Sequence, residues 1–152
     1  MYAAIATIYL GGTGVALGRL MLGWREVGRF ARWFAAAFAV YAVGWCACWF
    51  GLRGKHHADL YGAAAGLAAM TWLLRRGCGA GQGGGTEWAV LFACHTIGYT
   101  LGDDLHAWVR GSAGRLLWGA AHGLGFGAGL GFLLHRWREP LRRRAGATAA
   151  RS

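Results

Sequence analysis

Long apolar runs, separated by short clusters of charge and glycine, occupy nearly the whole chain. Residues 2–22 form the first run, broken only by Arg19 near its end, and residues 33–52 form a second of twenty residues with no charge. Residues 57–74 make a shorter, alanine-rich third. Residues 88–109 make a fourth, which carries His95, Asp103, Asp104 and His106. Residues 116–134 make the fifth. A helix rises about 1.5 Å per residue, so about twenty apolar residues match the ~30 Å hydrocarbon layer of a bilayer. The third run spans it only with its flanks drawn inward. The pattern predicts an all-α, polytopic transmembrane bundle of about five glycine-rich spanning helices. Residues 1–140 form the bundle and residues 141–152 a flexible basic tail.

The breaks between runs suit membrane hairpins. Arg25, Glu26 and Arg29 mark the first loop; Arg53, Gly54 and Lys55 mark the second. Residues 77–85 form a glycine-rich third loop, with Thr86 as a helix cap before Trp88. Residues 110–115 make the fourth. Pro140 lacks the amide a helix needs and is expected to end the last one.

Composition supports the membrane class. Hydrophobic residues make up 56% and charged residues 14%, against about a quarter charged in ordinary soluble domains. The formal net charge of +10 would suggest nucleic acid in a soluble chain. Here the basic residues sit at the ends of apolar runs, without the aromatic–basic alternation of RNA binders, so no nucleic-acid partner is expected. The same charges orient the bundle. Arg19, Arg25, Arg29, Arg32, Arg75, Arg76, Arg136, Arg138, Arg142, Arg143, Arg144 and Arg151 fall on one side, and Arg53, Lys55, Arg110 and Arg115 on the other. Basic residues favour the cytoplasm, which puts the C-terminus inside and the N-terminus outside, as in a bacterial inner membrane. The basic tail should attract anionic lipid. Trp24, Trp33, Trp88, Trp108, Trp118 and Trp137 stand near span ends, where indole rings favour the interface. The first run has no basic start and no small-residue cleavage site, so it reads as a span and not as a signal peptide.

Glycine occurs 28 times. Gly119, Gly123, Gly127 and Gly131 recur every fourth residue, as in a glycine zipper, with Gly125 and Gly129 interleaved; Gly98 and Gly102 do the same one run earlier. Such spacing lets helix backbones approach closely, within one chain or between copies or other membrane subunits. The string from Gly79 to Gly84 matches a dinucleotide fingerprint by letter but has no preceding strand.

Candidate chemistry gathers on the outer side. His56, His57 and Asp59 begin the third run, Asp103, Asp104 and His106 end the fourth, and His122 lies six residues into the fifth. Ionisable groups within a span are costly and mark functional sites. If the glycine faces meet, His106 and His122 lie at similar depth, with Asp103 one turn away and His57 completing the set. Imidazole plus carboxylate is a first shell for zinc, copper, iron or nickel. A haem on His106 and His122 is a further variant; His95 lies too far toward the cytoplasm to share an iron with His122. The string from His122 to Phe126 is similar to histidine–glycine strings of bacterial membrane metal transporters and some intramembrane hydrolases, over those residues alone. The only serines are Ser112 and Ser152, which disfavours a serine mechanism. The sequence reading is a small integral membrane protein with an outer-side metal site on His57, Asp103, His106 and His122. A structural or accessory subunit of a larger membrane complex is the alternative, and a metal-dependent membrane hydrolase the third.

Overall fold

The computed structural model describes residues 14–19, 27–80 and 84–149, with side chains as far as Trp137. Most of the expected first span, Arg25 and Glu26 of the first loop, Trp24, the centre of the third loop and Arg151 lie outside the described residues. Among those described, the protein is all-α. Five helices follow in order: α1, helical over residues 14–19, then α2 (Val27–Gly51), α3 (Ala58–Cys78), α4 (Gly85–Val109) and α5 (Gly111–Ala149). Two of them, α2 and the Gly111–Trp137 part of α5, are long and apolar enough to cross a membrane. The chain divides into two compact units. One holds residues 1–84 and 135–152, the other residues 85–134.

The first unit is organised by the α2–α3 hairpin. Its turn bends through left-handed backbone at Arg53, Gly54, His56 and His57. Hydrogen bonds from Gly54 N to Trp49 O (2.8 Å) and from Lys55 N to Leu52 O (3.0 Å) hold it. The two helices then touch backbone to backbone. A Cβ added to Gly66 would lie 2.8 Å from Tyr41 O, and one on Gly62 would lie 2.9 Å from the Trp45 Cα. Phe30, Phe34, Leu67, Met70 and Leu74 are fully buried around this seam. Gly14 and Gly18 of α1 rest on Ala31, Phe34 and Phe30 of α2. At its far end α3 closes on Gly79 in the left-handed conformation, whose N–H donates to Arg76 O while Ala80 N–H donates to Arg75 O.

The second unit is the α4–α5 hairpin. Its turn is much tighter than the six-residue loop expected from sequence. Arg110 alone joins the helices, at φ 57°, and Gly114 N–H donates to Arg110 O at 2.9 Å. The helix starts one residue before Thr86, which is therefore helical and not a cap. α5 also continues through Pro140 to Ala149. A proline removes one backbone bond and crowds one carbonyl, yet the helix runs on for nine residues beyond it.

All four cysteines are free thiols. Cys78 is buried where the α3 C-terminus meets the α2 start, and burial pushes its thiol up to about 11, with Arg29 pulling partly back. The folded chain therefore holds this proton above the ordinary value of 9.0. The contribution of this thiol to stability is constant below that value and falls as pH rises from 9.0 toward about 11. At pH 8, maleimide should spare Cys78 in the native protein and label it once the protein is denatured. Equal labelling of Cys78 before and after denaturation would contradict the packing described.

Candidate functional site

Glycines set how α4 and α5 meet. A Cβ on Gly98 would lie 2.7 Å from Ala121 O and 3.0 Å from the Gly125 Cα; one on Gly102 would lie 3.0 Å from Trp118 O. One on Gly125 would collide with Cys94 O, and one on Gly129 would lie 3.0 Å from the Leu91 Cα. Toward the turn, Gly114 faces His106. Gly98 and Gly102 thus pack as expected. Gly119, Gly123, Gly127 and Gly131 meet nothing within 4 Å. The hairpin is closed by the interleaved Gly125 and Gly129, because the large rings of α5 share their side of the helix.

Those rings form the candidate site. His95 of α4 is buried, and its ring meets His122 of α5 edge to face at 4.8 Å between centroids. Phe126 stands edge-on to His95 at 5.8 Å, and Tyr99 stacks one turn along at 6.3 Å. His122 also contacts Trp118 at 5.1 Å and Tyr99 at 5.9 Å. Trp118 closes the cluster by donating its indole N–H to Asp103 Oδ1 at 2.7 Å. The Nε2 of His122 is buried without a hydrogen-bond partner among the described residues. The cluster is a histidine pair in an aromatic sleeve, with one carboxylate anchoring the sleeve toward the turn.

This differs from the quartet expected from sequence. Because α5 begins at Gly111 and not near Leu116, His122 lies about 7–8 Å deeper in its helix than a count from the apolar run suggests. Its neighbour on α4 is consequently His95. His106 faces Gly114, eight residues and about 12 Å along α5 from His122. Asp103 is exposed and bonds to Trp118. His57, exposed at the α3 start, belongs to the other unit. Among the described residues no group of three or more His, Cys, Asp or Glu side chains stands close enough to hold a metal ion. His106 and His122, the pair expected for a haem, are offset along the hairpin, and His95 stands beside His122 instead of apart from it. Trp118, expected at an interface, instead walls the cluster.

Sequence reasoning passed over His95, Tyr99 and Phe126 as site residues. Their signal was present in the four-residue ladders His95–Tyr99 on α4 and Trp118–His122–Phe126 on α5, each placing rings on one helix face. No protein-family model matches the chain, and neither a curated protein nor a solved structure matches it.

Two outcomes check this geometry. Gly98→Leu should cost about 2 kcal/mol or more, because its first obstacle is the backbone of α5. Gly127→Leu, facing open space, should be neutral or stabilising by up to about 1 kcal/mol. Melting temperatures in one detergent compare the two, and equal losses would show the packing face to be misassigned. Trp118→Phe and Asp103→Asn should each weaken the hairpin, with a double-mutant coupling of about 1 kcal/mol for the shared hydrogen bond. Additive losses would mean that the bond contributes nothing.

Proposed function

We propose that the chain is a polytopic integral membrane protein of about five spans that serves as a structural or accessory subunit of a membrane assembly. The observation that carries this reading is the set of large apolar side chains on α2, α4 and α5 that point outward. Val43, Phe50, Ile97, Trp108, Leu116 and Leu124 are each 67–83% exposed, while His95 is 2% exposed. Water would penalise that surface, and lipid solvates it. Helices α2, α3 and α4 hold 25, 21 and 25 residues, enough for roughly 30 Å or more each. Arginines at the α2 start and the α3 end favour the cytoplasm for that end, which sets the N-terminus outside in a bacterial inner membrane. The tail, with Arg142, Arg143 and Arg144, adds attraction for anionic lipid.

A scaffold role fits the interior better than catalysis does. A hydrolase needs a metal with an open position and a carboxylate base nearby. Asp103 is engaged by Trp118, and Asp104 is exposed.

A metal-binding reading has one specific observation in its favour, the closeness of His95 and His122. Two imidazoles on one tetrahedral ion, with nitrogen–metal bonds of about 2.0–2.1 Å, put ring centroids roughly 5 Å apart; here they are 4.8 Å apart. Zinc, copper, iron or nickel on this pair would take its remaining ligands from outside the described residues.

The protein should stay in the membrane pellet through alkaline carbonate washing and leave it only with detergent. Recovery in the aqueous fraction would overturn the membrane reading. A reporter fused to the C-terminus should be active in the cytoplasm. Elemental analysis of protein purified without a histidine tag decides between the remaining roles. Absence of stoichiometric metal is expected for the scaffold, and metal lost in both His95→Ala and His122→Ala would establish the pair as a site.

A further inference from the structure

One face of α3 carries a cationic and aromatic head above a shallow apolar trough. The guanidinium of Arg76 lies 4.8 Å from the ring centre of Trp72. Below it on the same stripe come Ala68, Ala65 and Tyr61, all exposed. Trp72 and Tyr61 are 55% and 60% exposed, so the two rings rise as walls and the alanines leave a low floor between them. The eleven residue steps from Arg76 to Ala65 cover about 16 Å of helix axis, which matches one leaflet, about half of a ~30 Å core; Tyr61 lies beyond it, toward the other end of the helix. Beside the head, the Trp33 ring of α2 packs onto the backbone of Gly77, and Arg29 acts on Cys78, so the basic starts and ends of the two helices adjoin.

We propose that this face seats one anionic phospholipid, its phosphate on Arg76 and one acyl chain along the trough from Trp72 over Ala68 to Ala65. A guanidinium stacked on an indole keeps its N–H edge directed outward, and that fork matches phosphate oxygens in pairs. The charge complements an anionic headgroup, and the floor fits an alkyl chain, so the occupant is a lipid of the adjoining leaflet and not free phosphate. The site rests on the membrane reading but is separate from the general attraction of the basic tail.

The test is native mass spectrometry of the full chain in mild detergent, titrated with phosphatidylglycerol or phosphatidylcholine of the same acyl chains. One phosphatidylglycerol should be retained preferentially. Arg76→Gln should weaken that retention by about fivefold, as expected for one arginine at a lipid surface. Ala68→Trp fills the exposed floor without touching charge and should weaken both lipids. A tail variant with Arg142, Arg143 and Arg144 all changed to glutamine should still retain the lipid. The proposal is overturned if Arg76→Gln and Ala68→Trp bind as the parent does while the tail variant loses lipid. It is also overturned if Ala68→Trp leaves lipid binding intact and instead breaks up an oligomer, which would assign the face to a second copy. Failure of the membrane reading looks different, since the parent would then leave the membrane without detergent.

Discussion

Contact between helix backbones at glycine is the constraint on which the rest depends. Gly62 and Gly66 bring α3 against Trp45 and Tyr41 of α2. Gly98, Gly102, Gly125 and Gly129 bring α4 and α5 together. At such points no side chain can be interposed, so the axial offset of each hairpin is set by main-chain fit. Van der Waals packing of this kind replaces the hydrophobic effect as the source of helix association when the surroundings are themselves apolar. The histidine pair follows from it. With Gly98 seated against Ala121 and Gly125, the next rings inward are His95 and His122.

The same packing leaves apolar side chains on both sides of the surface. Leu91, Leu130, Leu133 and Leu134 are buried, while Val40 and Val43 of α2, Ile97 and Leu101 of α4 and Leu116 and Leu124 of α5 point outward. Polar side chains sit within: Thr71 on α3, and Glu87 and His95 on α4, are all buried. In water this arrangement would place the costs on both sides of the surface. In lipid the outer face is solvated, and polar groups are sheltered within the bundle or gathered toward its ends. The bond of Trp118 to exposed Asp103 is of the second kind, since it ties an indole to a carboxylate near the turn.

Helix content, and the approximate bounds of α2, α3 and α4, were legible because long apolar runs leave few alternatives. The site was less legible, for a definable reason. Depth along α5 was counted from Leu116, where the apolar run begins, but the helix begins at Gly111. Ser112, Gly114 and Arg115 look like loop residues by composition, yet two left-handed residues, Arg110 and Gly111, reverse the chain and let the helix absorb them. That shift exchanged His106 for His95 as the neighbour of His122. The glycine series posed a second ambiguity. Gly119 to Gly131 and the interleaved Gly125 and Gly129 are equally good patterns, and spacing alone does not say which faces inward. The three rings at Trp118, His122 and Phe126 decide it, because they share a face with Gly125 and Gly129 and need the shelter of α4.

The ring cluster, in turn, gives the α4–α5 hairpin a reason to hold one offset. Glycine seams tolerate sliding, since a slip of one turn along a four-residue repeat replaces glycine by glycine. Rings do not. A slip of four residues would carry His122 about 6 Å from its place beside His95 and Tyr99 and separate the Trp118 indole from Asp103. An imidazole left among apolar neighbours, and a carboxylate deprived of its donor, make that slipped state costly. A single buried polar group fixes register in coiled coils by the same logic. In this hairpin, glycine supplies closeness and the histidine–tryptophan–aspartate set supplies uniqueness. This division of labour explains polar side chains inside an apolar bundle without requiring that they perform chemistry.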